Sequence, residues 1–369
     1  MQLNTVDELI SDIRQGRMVV LLDDDAESHN EGVVMVAAEH CNAEYVNFMA
    51  RNARGLVCLA LTEERCHQLD LPPMVGDARG EKSNFTLSIE GAVGIDTGIS
   101  AVDRALTVEA AVAQNAVPAD IVQPGHIFPL TVVPGGVLMR AGHTEAASDY
   151  ARLAGLMPFA VIADILTPDG TLADGPALSA FAAQHDLKIG TIADLIHFKM
   201  MNERTIERVK EGVISTAYGE FRLTAYRDET EGNIHLALSL GDITADEPTL
   251  VRVHSKSVLR DLIGNELPDQ TSWNMAKCMK KLAETGKGVI VLLARTESPE
   301  QLLGSIDMAL GETRKPVAGT ADTYTTVGVG SQILSDLGVG KIHLMGAPIK
   351  YNAISGFDLE VIDYMQPDA

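Results

Sequence analysis

The sequence predicts an α/β protein, in part α+β, built as two domains, and three observations carry that reading. Short apolar strands alternate along the chain with helices whose ends bear capping residues. The 369 residues exceed the usual size of one domain, and the 46% hydrophobic content is ample for two cores. A charged stretch without an apolar face, Asn202 to Lys210, lies between two regions that each keep this pattern. Domains are therefore expected at residues 1–201 and 207–369.

In chain order, Thr5 and Glu8 form a capping box ahead of Val6, Leu9, Ile10 and Ile13, which predicts a short helix ending at Gly16. Met18 to Leu22 reads as a buried strand and Val33 to Ala38 as a second. The polar loop joining them, Asp23 to Gly32, is rich in oxygen ligands and fits either a metal site or plain solvated surface. Leu56 to Leu61 is an apolar strand whose Cys58 suits packing. Leu71 to Gly80 is loop, and Phe85 to Glu90 alternates like a strand. Asp96 to Arg104 is a turn leading into a helix through Ala113; its hydroxyls and Arg104 fit an anion, and equally a helix cap. Pro124, Gly125 and His126 predict a tight turn before the strand Ile127 to Val133, where a histidine is as readily structural as chemical.

The stretch Val137 to Gly155 is the most informative. An apolar run breaks at Gly142, and a helix follows with Thr144 as its expected N-cap, Ala147, Ala151 and Ala154 facing a core, and Gly155 at its end. Arg140, His143 and Thr144 are expected to converge on one exposed corner. A helix N-terminus with unpaired N–H groups beside an arginine suits an anion, phosphate above all. The same residues also fit a capped helix with a surface histidine. Phe159 to Leu166 is apolar except for Asp164, and a carboxylate in a strand buried on both faces needs a partner, which points it into a site. After a turn at Pro168 to Gly170 come two helices, the second capped by Thr191 and ending near Met201.

In the second half, Val213 to Tyr226, His235 to Leu240, Leu250 to His254 and Val289 to Leu293 read as strands. Trp273 to Glu284 reads as a helix closed by Gly286, and a further βα unit runs from Gly330 to Met345.

Composition narrows the function. A formal charge of −22 repels nucleic acid and anionic membranes, so neither is expected as a partner. It leaves room for a phosphorylated metabolite, because a metal ion and a few arginines invert the potential inside one cleft. The four cysteines, Cys41, Cys58, Cys66 and Cys278, form no CxxC pair, which fits a reducing cytoplasm. The N-terminus MQLNTVDELI lacks a basic and an apolar region of signal type, and no apolar run reaches the length of a membrane span. A soluble cytoplasmic protein is expected.

Five motifs carry a family resemblance: GGVLxRxGHTEAAxDxARLAG at 135–155, TGISAxDR at 97–104, PGHxFPL at 124–130, RGLVCLALT at 54–62 and LPPM at 71–74. Together they make the first half resemble 3,4-dihydroxy-2-butanone 4-phosphate synthase, a mixed-sheet domain with flanking helices. The second half is similar to the α/β GTP cyclohydrolase II domain often fused to it, through TAYGEFRLTAYRD at 216–228, LVRVHS at 250–255 and GVGSQILSDLGVGKIHLM at 328–345. The resemblance implies conversion of ribulose 5-phosphate to a four-carbon ketone phosphate plus formate, with a divalent metal, in a homodimer of the riboflavin pathway. It implies His143 as a metal ligand, Arg140 and Thr144, flanking Gly142, on phosphate, and Asp103, His126, Cys58 and the turn Thr97 to Ser100 around the pocket.

The departures matter as much. The family's acidic loop runs DDEDRENEGD, whereas this chain has DDDAESHNEGV, one residue longer. Aligned on Asn30, Glu31 and Gly32, the phosphate-binding arginine becomes Ser28, the metal-binding glutamate becomes His29 and the final aspartate becomes Val33. On the late strand a glutamate is shortened to Asp164, and the cysteine before it is Ala163. Losing one charge-assisted arginine contact costs about 1.5 to 3 kcal/mol, roughly tenfold to a hundredfold in phosphate binding. His29 beside His143 and Glu31 gives a two-histidine, one-carboxylate set that suits Mn, Fe, Ni or Zn more than Mg. The first reading is therefore a diverged metal-dependent lyase acting on ribulose 5-phosphate or a related polyhydroxy ketone through an enediolate, with Glu31 and Asp164 as acid and base and little ordinary synthase activity. The alternatives are the ordinary synthase and a catalytically silent regulatory or binding subunit. In the second half the family's zinc cysteines fall at Ser257, Pro268 and Gln270, and ARTESPEQLL at 294–303 replaces its arginine-rich stretch, so neither zinc nor GTP hydrolysis is expected there.

Overall fold

The computed structural model describes residues 3–23, 31–74, 84–229, 232–265, 273–294, 297–311, 320–346 and 359–366. The chain forms two compact units, Met1–Phe198 and Lys199–Ala369.

In the first unit, α1 (Val6–Arg14) carries the predicted Thr5–Glu8 capping box. It leads into β1 (Val19–Leu22) and β2 (Gly32–Ala37), which pair antiparallel. Next come α2 (Ala43–Phe48), a π-helical turn (Met49–Ala53), β3 (Cys58–Thr62) and α3 (Glu63–Gln68). They are followed by β4 (Ile89–Gly91), α4 (Ala101–Val112), β5 (Ile121–Val132) and α5 (His143–Leu153). The unit closes with β6 (Ala160–Asp164), α6 (Gly175–Gln184), β7 (Lys188–Thr191) and the start of α7 (Ile192–Asn202), whose last residues lie past Phe198. The sheet order is β4-β5-β3-β6-β2-β1-β7, antiparallel except where β5 meets β3 and β1 meets β7.

The inner strands β1, β2, β3 and β6 are apolar throughout because both faces are covered. Alternation sends Val20, Leu22, Val34, Val36, Leu59, Leu61, Val161, Ala163 and Ile165 into one core with α4, α6 and the π-helical turn. The intervening residues, Cys58 and Asp164 among them, face the other side, where α5 packs along β1, β2, β3, β5 and β6.

Several sequence expectations are corrected. Pro124 to His126 is not a turn before a strand but an excursion inside β5, since Ile89 pairs with Ile127 while Glu90 pairs with Val122. Only Ile89–Gly91 of the alternating run forms a ladder. Thr86 donates to Pro129 and Leu87 to Pro72, so the segment is shared between two neighbours. Asp164 is exposed, because the strand ends there and its carboxylate leaves the buried region. A further short strand, β7, separates the two final helices; KIGT carried too few residues to show a period. Residues 24–30, with Ser28 and His29, and residues 75–80 lie outside the described residues.

The second unit has β8 (Ile206–Thr216), β9 (Gly219–Asp228), β10 (Ile234–Leu240), β11 (Pro248–Ser255), α8 (Met275–Thr285) and β12 (Gly288–Leu293). These precede α9 (Pro299–Ala309), α10 (Thr320–Asp336), β13 (Lys341–Met345) and β14 (Glu360–Met365). Its sheet runs β14-β13-β11-β12-β10-β9-β8, parallel from β14 to β12 and antiparallel beyond. Cores lie on both faces, one around Val251, Val291 and Ile333 and one around Trp273, Leu282 and Ile290. Ile206 to Lys210, inside the stretch where the sequence puts the domain boundary, already belongs to β8. It lacks an apolar face because β8 is an exposed edge strand, where charge blocks unwanted pairing.

Candidate active site

One group of the predicted residues gathers at the start of α5. Its N-cap is Gly142, not Thr144, and no side chain caps the helix. Thr144 lies inside the first turn and is buried, as is every residue from there to Ala151. The corner is thus only partly exposed, with Arg140 at its rim. The helix is buried because a sheet face covers it, so its polar residues have assigned tasks. Glu145 Oε1 accepts the Val133 N–H at 3.1 Å and lies 3.6 Å from Arg140, while Asp149 accepts the Val137 N–H at 2.9 Å. These carboxylates pin the connection that delivers Arg140. The paired glycines serve the same fit: Gly136 has φ +65°, and a Cβ there would sit 2.2 Å from Asp149 Oδ2. Thr144 Oγ1 accepts from Asn84 Nδ2 at 3.5 Å.

His143 stands among Asp23, Glu31 and Asp164 and is hydrogen-bonded to the Glu31 backbone. Burial drives its pKa below the ordinary histidine range, against the pull of those carboxylates, so the ring is neutral. The residue as a whole is half-buried, yet its Nε2 is shut from solvent without a hydrogen-bond partner. A neutral imidazole lone pair ringed by carboxylates suits a divalent cation. Among the described residues no group of three His, Cys, Asp or Glu is preassembled around a metal, and His29, the other expected ligand, lies outside them. Cys58 faces the same carboxylate, and its thiol is pushed up to about 12 by burial and by Asp164, which leaves it neutral rather than nucleophilic.

A second network gathers the other predicted residues. His126 Nδ1 lies 2.7 Å from Glu90 Oε2, and Thr107 donates to Glu90 Oε1 at 3.3 Å. Asp103 accepts the Gly98 N–H at 3.0 Å and the Asp96 N–H at 3.4 Å. Burial opposes its charge, but the N–H groups of Asp96, Gly98 and Thr97 together with Ser100 hold its carboxyl below the usual range. Ser100 caps α4 by accepting the Asp103 N–H at 3.0 Å. The Thr97–Ser100 turn thus directs N–H groups and the Ser100 hydroxyl to the protein's own aspartate, in line with the helix-capping reading that the sequence left open beside an anion site. Glu90 and Glu145 escaped the sequence reading. Glu90 had a signal, an acid directly after Ile89 in an alternating strand-like run, whereas Glu145 looked like an ordinary first-turn acid.

In the second unit, Ser257 is held by its N–H on Asp261 Oδ2 at 2.8 Å, and Asp261 also lies 3.0 Å from His254. Residues 268 and 270 are outside the described residues. Cys278 is buried, its thiol raised to about 11.

Two sheets flanked by helices, with an imidazole and carboxylates gathered at one helix tip, define a two-domain α/β protein with a candidate acid–base and metal-binding corner. The chain belongs to the 3,4-dihydroxy-2-butanone 4-phosphate synthase family, whose model matches residues 7–198, and a GTP cyclohydrolase II model matches residues 207–366. It is 54% identical over 367 residues, 99% of each chain, to a 3,4-dihydroxy-2-butanone 4-phosphate synthase of Pseudomonas aeruginosa. It resembles the crystal structure of RibBX, a two-domain 3,4-dihydroxy-2-butanone 4-phosphate synthase from A. baumannii, with TM-score 0.83 and 47% identity over 98% of this chain and 99% of that one. A 3,4-dihydroxy-2-butanone 4-phosphate synthase in complex with two magnesium ions matches 54% of this chain and 98% of its own, with TM-score 0.52 and 37% identity. Relatives this similar over both domains favour the ordinary family reaction over the expected diverged one. No described helix is long and apolar enough to cross a membrane.

Proposed function

We propose that the chain is a working 3,4-dihydroxy-2-butanone 4-phosphate synthase of riboflavin biosynthesis, converting ribulose 5-phosphate to the four-carbon ketone phosphate and formate. The observation that supports this most is the partnerless, neutral Nε2 of His143 facing Asp23, Glu31 and Asp164. Residues 1–201 carry the reaction, and residues 207–369, with no cysteine at the three zinc positions, serve as a partner domain without GTP hydrolysis. The protein acts as a cytoplasmic homodimer.

His143 and Glu31, with His29, hold a divalent cation, magnesium in the relative that names one. When bound, the cation draws electron density from the sugar's carbonyl and hydroxyl oxygens. Glu31 and Asp164 move protons on the carbon skeleton, and Asp164 is open to the substrate because β6 ends there. Arg140 and the N-terminus of α5 bind the phosphate. His126, oriented by Glu90, and Asp103 complete the pocket. Ser28 in place of arginine weakens phosphate binding, raising KM by roughly tenfold to a hundredfold without changing the reaction.

The test is formate release from ribulose 5-phosphate by the purified chain with Mg, and in parallel with Mn. Turnover that His143→Ala abolishes is the expected result. Absence of formate with either metal, from a protein whose fold is intact, sinks the reading and leaves a silent subunit.

A further inference from the structure

We propose that the cleft between the π-helical turn and α6 is a second ligand site, for a phosphate monoester carrying a flat, largely apolar ring, of the size of a mononucleotide. The cleft has a volume of about 450 Å³, within the range of small-molecule sites. One wall is cationic: Arg51 and Arg54 both line it and both are exposed. Among the described residues neither makes an ion pair, although the chain carries 51 acidic against 29 basic side chains. Arg54 Nη1 donates to the Thr167 carbonyl at 2.8 Å, which fixes the guanidinium at the cleft with donors to spare. Two guanidiniums without an ion pair among the described residues, in a strongly acidic molecule, are complementary to a dianion, and a phosphate takes their paired N–H groups better than a carboxylate of single charge.

The apolar part of the lining asks for a ring. Ile165, Ala177 and Phe181 form it. Phe181 packs against His185 at 4.7 Å and Phe48 at 6.1 Å between ring centroids, a small aromatic cluster with which a further ring can stack. A free sugar phosphate leaves this part unpaired.

The cleft is separate from the site at α5. Ile165 belongs to the core shared with α6, and Asp164, one residue earlier, faces the opposite side of the sheet. The two are nonetheless joined through backbone. Arg54 forms a bridge with Ile165, and the Gly55 N–H donates to the Asp164 carbonyl at 3.1 Å. Leu178 of α6 fills the space beside Gly32, the first residue of β2, which directly follows Glu31. A ligand drawn between Arg54 and α6 therefore bears on the chain segments that carry Asp164 and Glu31, which gives the cleft a route to regulate turnover.

Calorimetric titration of the full chain with adenosine 5′-monophosphate, inorganic phosphate and adenosine tests the site. Arg51→Ala and Arg54→Asn are the variants, asparagine being chosen because position 54 has φ +74° and asparagine tolerates it. The nucleotide is expected to bind, each variant to weaken it at least about tenfold, as loss of a charge-assisted contact does, with an unchanged unfolding midpoint. His143→Ala is expected to leave that affinity intact, which separates this cleft from the catalytic corner. Nucleotide affinity unchanged by both arginine variants, or lost with His143→Ala, overturns the proposal. So does adenosine or inorganic phosphate binding as tightly as the nucleotide, since the site needs both halves.

Discussion

At the scale of single residues, burial decides which groups carry charge. His143 is neutral because desolvation outweighs three nearby carboxylates. The cysteines follow the same physics with the opposite sign of charge. Burial pushes Cys41 and Cys58 up to about 12 and Cys278 to about 11, and raises Cys66 as well. At pH 8 a thiol with pKa near 12 is thiolate about one time in ten thousand. Iodoacetamide at that pH is expected to leave the native chain unalkylated, read by intact mass. Rapid labelling of Cys58 would contradict its packing role and restore it as a nucleophile. The sequence suggested packing for Cys58, since an apolar strand surrounds it; it gave no sign that Asp164 stands beside it.

Elements position these residues through close approach. The β4–α4 connection wraps Glu90 so tightly that a Cβ on Gly98 would lie 2.1 Å from Glu90 Oε2, and Gly98 itself has φ +80°. Gly98→Ala is therefore doubly unfavourable, by contact and by backbone conformation, and is expected to cost about 1 to 3 kcal/mol of stability. Because the displaced atom is the partner of His126, turnover is expected to fall further than stability alone explains. The comparison is formate release at a temperature where circular dichroism shows the variant folded. Full activity there would detach the Glu90–His126 pair from the reaction. TGIS was legible as a helix start, and Ser100 does cap α4. That the N–H groups of Asp96 and Gly98 also serve the Asp103 carboxylate was not legible, because it depends on how the turn folds back.

For the whole molecule, buried titratable groups in both units set a window of pH stability. His143 in the first unit and His254 in the second have folded-state pKa values depressed below 6.5, in each case mainly by burial. Above pH 6.5 both are neutral, folded or unfolded; as pH falls through 6.5 the unfolded chain takes up protons first, and stability is lost. The thiols of Cys41, Cys58 and Cys278 have folded values above 9.0, so stability falls again as pH rises through 9.0. The unfolding midpoint, followed by scanning calorimetry, is expected to be highest between these limits. A midpoint that keeps rising as pH is lowered from 6.5 to about 5 contradicts the buried, neutral histidines.

The sequence by itself determined the α/β class, the α1 capping box, the inner strands and the helix that begins at GHT. Local propensity and hydrophobic period fix those features within a dozen residues. Its motifs also carried the family. Tertiary structure alone decided that Glu90 pairs with His126 across 36 positions, that Asp164 emerges at a strand end, and that Asp23, Glu31 and Asp164 surround His143. It alone placed Arg51 and Arg54 beside α6. Such meetings follow from strand order and sheet face, and a residue's face depends on where its strand ends and what covers it, which no local stretch of sequence encodes.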